Sequence, residues 1–218
     1  MPEPVTIPIA FFEFTSDFER PVFNLWIDRA DVIQAIFDAL MPWNPRVDDM
    51  EAITTGKTSE QGFSIKLPLK GVSFFFGPAS CKFTRDNINW PAAEETVAIL
   101  DAAILALTRS AGVVLGAKNV ALAMHLQPKS VSFTTLLLPF IAPQLVSLDS
   151  KQMTTAATVV KWADCKVTID GSASIANALF LRVERQFPSA ATYEEIATRV
   201  KEDQSNLFRV LGVEEDQG

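Results

Sequence analysis

The chain has 218 residues, 48% of them hydrophobic, with a formal net charge of −7, one histidine and two cysteines. A chain of this length buries roughly 70% of its unfolded surface, so it builds a full core without disulfide or metal staples. The acidic balance argues against non-specific nucleic-acid binding, which depends on neutralising phosphates. The most apolar run, FTTLLLPFIAPQLVSL, is interrupted by Pro139 and Pro143 and is too short to cross a bilayer.

The charge is unevenly spread. Residues 1–62 carry 11 acidic and 4 basic side chains, residues 63–191 carry 8 and 12, and residues 192–218 carry 7 and 3. The bases of the middle segment are scattered along strand-like sequence, which reads as a solvated face or as a contact with the acidic ends. Phe occurs 16 times and Tyr once, so the aromatic content is filler or interface more than hydroxyl-bearing surface. The opening MPEPVTIPIAFFEF lacks the basic n-region of a secretory signal. With Cys81 and Cys165 lying 84 residues apart, the expectation is two reduced, buried thiols in a cytoplasmic protein.

In chain order, TIPIAFFEF alternates Ile7, Ile9 and Phe11 against Pro8, Ala10 and Phe12 and predicts a strand, edge-like at its proline-bearing start. PVFNLWI puts Phe23, Leu25 and Ile27 on one face. Asp28 then caps a helix striped by Val32, Ile33, Ile36, Phe37 and Leu40 and stopped by Pro42. A short strand is expected at 52–55. GFSIKLPLKG, VSFFFG and CKFTRD read as antiparallel neighbours joined by turns at Leu69-Lys70-Gly71 and Gly77-Pro78-Ala79. VSFFFG is apolar on both faces, has the composition of an aggregation-prone segment, and needs a helix over it. That helix is expected next, opening near Pro91 with Glu94 and Glu95 and closing at Gly112, with Val97, Leu100, Ile104 and Leu107 as its stripe.

KNVALAMHLQ alternates large residues against Ala121, Ala123 and His125, a strand with a helix on its small-residue face. SFTTLLLPFIAP predicts a short helix capped by Ser132. The run from 155 to 187 reads as strands, with Asp170-Gly171 as a turn signal. Thr192 and Glu195 form a capping box that opens a helix striped by Ile196, Val200, Leu207 and Leu211 and closed by Gly212, and an acidic tail follows. The expected fold is α+β: a mostly antiparallel sheet or sheets of about eight to ten strands with about four helices. It forms a single domain over 1–218, or two packed halves, 1–112 and 113–218.

Catalytic signals are sparse. TTGKT at 54–58 matches the end of a phosphate-binding loop, but Glu51 stands where the first glycine belongs, and the flanking strand and helix are missing. It reads as a polar turn. His125 is a single imidazole without the further His or Cys ligands of a zinc site, and no G-x-S-x-G elbow supplies a serine partner. Cys81 and Cys165 read as structural thiols. Lys166 points to the sheet face opposite Cys165 and so does not activate it. Asp48-Asp49 is the one acidic pair outside a helix start or tail, and it lacks calcium-loop spacing. No catalytic residue, metal site or cofactor is therefore assigned.

The tryptophans Trp26, Trp43, Trp90 and Trp162 are the better functional candidates, and two of them are assigned as binding residues. Trp43 in MPWNPR is held in a loop between prolines, and Trp90 lies between the strand cluster and the long helix. His125 joins them as a candidate binding residue.

The run FFFGPASCKFTRDNINWPAAEETVAILDAAILALTRSAGV, followed by NVALAMHLQP, resembles a bacterial family of uncharacterised proteins. In that family a strand ends in an Asn and a Trp, a long helix follows, and then a strand. Asn87 or Asn89 with Trp90 carries the motif here, and the match covers about a third of the chain. The resemblance implies a bacterial source and brings no catalytic residue to the chain.

The functional expectation is a non-enzymatic protein-binding or assembly module that binds a protein partner or associates with itself as a homodimer, with neither nucleic acid nor membrane as partner. Apolar surface beyond the needs of one core tends to become an interface. The alternative is a small-molecule-binding protein or enzyme with a pocket between the sheet and the long helix, using His125 or Asp164.

Overall fold

A computed structural model describes residues 2–25, 29–87, 93–141 and 157–216. Among these residues the fold is α+β, with ten strands in one mostly antiparallel sheet and four α-helices. The strands are β1 (Glu3–Phe18), β2 (Met50–Ile53), β3 (Gly62–Leu67), β4 (Val72–Phe76), β5 (Ser80–Asp86), β6 (Leu115–Pro128), β7 (Ala157–Lys161), β8 (Cys165–Gly171), β9 (Leu179–Phe187) and β10 (Val213–Glu215). The helices are α1 (Ala30–Leu40), α2 (Ala93–Ala111), α3 (Phe133–Leu137) and α4 (Tyr193–Leu211). The strand order is β2-β3-β4-β5-β1-β6-β9-β8-β7, with β10 added in parallel to the start of β1.

The chain forms two compact units. One comprises Phe11–Val120 and Gln186–Thr198, the other Met1–Ala10, Ala121–Arg185 and Arg199–Gly218.

The first unit is built on phenylalanine. Period-two alternation in β1, β3, β4 and β5 turns Phe14, Phe63, Phe74, Phe76 and Phe83 to a single buried layer, each at most 2% exposed. Register joins the rings: Phe74 lies opposite Phe83, Phe63 opposite Phe76 and Phe14 opposite Phe83. Phe74 meets Phe83 edge-on at 5.0 Å and stacks with Phe76 at 5.6 Å. Gly62 begins β3 because a Cβ there would collide with the carbonyl oxygen of Phe76. Helices α1 and α2 pack against each other. The first contributes Val32, Ile36 and Leu40 to the core, the second Ile99, Leu100, Ala103, Ile104 and Leu107. Arg85, 7% exposed on β5, reaches the first turns of α2, where it donates to Thr96 at 2.7 Å and Glu95 at 2.9 Å.

In the second unit β8 pairs with β7 on one side and β9 on the other. The inward residues are Val167, Ile169, Leu179, Leu181 and Val183. Residues 120–126 of β6 are buried without a break, as a strand covered on both faces requires. The expected capping box of α4, its two residues belonging to the first unit, is formed: Thr192 N donates to Glu195 at 2.8 Å, and Glu195 N donates to Thr192 Oγ1 at 3.2 Å.

Several local expectations change. The expected common face of Phe23, Leu25 and Ile27 is not formed. A 3-10 turn at Phe23–Leu25 buries Leu25 and leaves Phe23 56% exposed, while Ile27 lies outside the described residues. Asp28 is also outside them, and Arg29 stands at the N-cap of α1 without a side-chain cap bond. β1 lies in the interior of the strand order, and Ala10, Phe12 and Phe14 are buried while Ile9 is 38% exposed. Pro8 is tolerated because the β10 ladder stops at Val5 and the β5 ladder starts at Phe11, which leaves Pro8 between them. Asp170-Gly171 belongs to the end of β8, and the link to β9 is the longer segment 172–178. The acidic tail contains β10, in which a buried Val213 is followed by the exposed Glu214 and Glu215.

Candidate functional site

Of the three sequence candidates, Trp90 lies outside the described residues. Trp43 ends a 3-10 turn after α1, half-buried, followed by Asn44 at φ 57°. His125 belongs to the other unit, on β6, and is 8% exposed. Asp48 and Asp49 sit in a 3-10 turn, and no group of three or more His, Cys, Asp or Glu side chains among the described residues is placed to hold a metal. No helix among the described residues is long and apolar enough to cross a membrane.

His125 is a structural element of the segment 172–178. Ser172 Oγ accepts from the backbone N–H of Ser174 at 3.2 Å and of Ile175 at 2.9 Å. With both lone pairs engaged, its one proton goes to His125 Nδ1, 2.8 Å away. The imidazole is therefore neutral, protonated on Nε2, and packed 5.3 Å from the Phe180 ring.

Burial lowers the proton affinity of His125 below its ordinary 6.5. A group with a depressed folded pKa binds more protons when unfolded, so stability falls as the pH drops from 6.5 through the lower folded value. Glu95 and Glu184, both held low by lysine hydrogen bonds, lose their contribution only at pH values below 4.5. Between pH 7.5 and 5 the drop in urea midpoint is expected to come from His125 and to shrink in His125→Gln. An equal drop in the two proteins would show that His125 does not titrate in this range.

Among the described residues of the second unit, one chemistry-bearing feature is a groove of 420 Å³ between the β8–β9 face and α4. Alternation places Cys165 and Val167 on one face of β8, and Val183 and Arg185 on the same face of β9, with Cys165 opposite Arg185 and Val167 opposite Val183. Helical spacing places Arg199, Asp203, Leu207 and Val210 along one side of α4. The β7–β8 turn supplies Trp162 and Asp164 at the mouth.

Arg185 is the hub. Its Nε and Nη2 donate to the two oxygens of Asp203 at 2.8 and 2.9 Å, and its Nη1 donates to Asp164 at 2.7 Å. Arg199 adds a longer contact to Asp203 at 3.5 Å. Asp203 raises the proton affinity of Arg185 further, so this guanidinium is permanently charged. Burial pushes the Cys165 thiol up against the pull of Arg185. Cys81, in the other unit, is pushed up to about 12, chiefly by burial. Neither sulfur is a thiolate at neutral pH.

The sequence pointed to Asp164 as an alternative pocket residue and to Cys165 as a structural thiol, and gave no reason to single out Arg185 or Asp203. One signal existed. The α4 stripe of Ile196, Val200, Leu207 and Leu211 skips a turn where Asp203 and Gln204 fall, and both are buried. A polar pair filling an apolar stripe marks a buried partner on the facing element. No protein-family model matches the chain, and no curated protein matches it.

Proposed function

We propose that this protein is a non-enzymatic binding or assembly module that works as a homodimer in the cytoplasm, with the β7 edge as its contact. The observation that carries the reading is the apolar surface at this end of the sheet order: Val159 is 57% exposed, Val160 41%, Trp162 54% and Val210 60%. Among the described residues β7 has β8 as its one strand neighbour. Terminal strands normally carry charge, proline or a bulge to prevent pairing. β2, at the other end of the order, follows that rule: Glu51 is exposed on it, and Asp48 and Asp49 lie just before it.

A second copy is the occupant that fits. ATVVK has one charge, at its end, and an antiparallel pair centred on Val159 would set Val159 against its own copy and Val160 against Thr158, with Lys161 opposite Ala157, in an isologous contact. The free, buried thiols Cys81 and Cys165 support a reducing compartment. Light scattering is expected to give twice the chain mass for the wild type and the single-chain mass for Val159→Lys. A wild type that stays monomeric at tens of micromolar would sink this reading.

A further inference from the structure

The two counter-ions of Arg185 are unequal. Asp203 is held at both oxygens and its side chain is 10% exposed; Asp164 contacts through one oxygen and its side chain is 62% exposed. The first fixes the guanidinium plane, while the second is already in water and is exchangeable at little cost. Around them the groove is walled mainly by Trp162, Val167, Val183 and Leu207. Its 420 Å³ falls in the range of about 300–1,000 Å³ typical of small-molecule sites.

We propose that the groove binds a small amphipathic carboxylate, one acid group on an aliphatic or aromatic body. The ligand carboxylate replaces Asp164 on Arg185 Nη1, and Asp164 turns out to solvent. The body lies against Trp162 and over Val167 and Val183. A cation is disfavoured because both inner carboxylate oxygens already accept from Arg185. A phosphate dianion is disfavoured because it adds a second negative charge beside Asp203. The protonated thiol of Cys165 forms part of the floor and takes no covalent part. This site goes beyond the dimer reading: it shares Trp162 and Val210 with the apolar surface cited for that contact, but it does not require the contact to form.

Octanoate and its neutral counterpart 1-octanol test the assignment, by titration calorimetry on the full chain. Octanoate is expected to bind, and 1-octanol to bind at least about tenfold more weakly, because it lacks the charge-assisted hydrogen bond. Asp164→Ala removes the competing carboxylate and is expected to tighten octanoate binding about two- to fivefold. Leu207→Trp, at a half-buried position on the groove wall, fills the space and abolishes binding while circular dichroism stays native. Equal affinity for the two probes, no octanoate binding at millimolar concentration, or weaker binding in Asp164→Ala would each overturn the proposal. Val159→Lys should bind octanoate as the wild type does even if it changes the mass by light scattering. Loss of binding in that variant would move the site into the dimer contact and end the assignment made here.

Discussion

Arg185→Leu is expected to destabilise the protein by about 3–5 kcal/mol, measured by urea unfolding, because it strands the Asp203 carboxylate in a buried position. The cost is set by what is left behind. Asp203 is 10% exposed at its side chain, and its remaining partner, Arg199, is 3.5 Å away and 47% exposed. The double variant Arg185→Leu/Asp203→Leu leaves no stranded charge in the groove: Asp164 is open to water and Arg199 keeps Glu202 at 3.2 Å. Its stability is expected to return to within about 1 kcal/mol of the wild type, since apolar replacement of a buried pair is often neutral or favourable. If the single variant costs no more than a surface substitution, the pair is solvated and the groove floor is wetter than its burial indicates.

Phe83→Ala is expected to cost about 3–5 kcal/mol, the range for emptying a fully buried aromatic position. Phe83 is 0% exposed and touches Phe74 at 5.0 Å and Phe12 at 6.1 Å, so three strands lose packing at once. The matched control is Phe23→Ala: the side chain is 56% exposed, and the change is expected to stay within about 0.5 kcal/mol. A loss below about 1 kcal/mol at Phe83 would mean that the ring layer collapses to fill the gap.

The parts of the fold that were legible in the sequence share one property: their causes are local. The hairpins β3–β4 and β4–β5 follow from alternation plus Gly71 and Gly77. The end of α2 follows from Gly112 at φ 63°, and the start of α4 from Thr192 and Glu195 three residues apart. What stayed hidden depends on partners far away in sequence. β10 has three residues and two carboxylates, and its strand form comes entirely from pairing with Glu3, Pro4 and Val5. The buried face of β1 is equally underdetermined from within, because Ile7, Ile9 and Phe11 are as apolar as Ala10, Phe12 and Phe14. The neighbouring ladder with β5 decides it. At the candidate site, Asp164 is named from the sequence only as an alternative pocket residue and Cys165 as a structural thiol, and Arg185 and Asp203 lie 18 positions apart on a strand and a helix. No spacing rule links those two positions. The gap in the α4 stripe is the one trace of their contact.

The pairing of β10 with the start of β1 also has a temporal side. At about 5–20 residues per second, translation delivers residues 213–215 on the order of ten seconds or more after residues 3–5 emerge. Throughout that interval the first strand lacks one of its final neighbours, and in the later part of it VSFFFG too is outside the ribosome, with the apolar residues of its five-residue strand available to other nascent chains. The protein thus spends its youth in its most self-adhesive form, and production in the cell should respond to chaperone supply more than the stability of the finished fold would suggest.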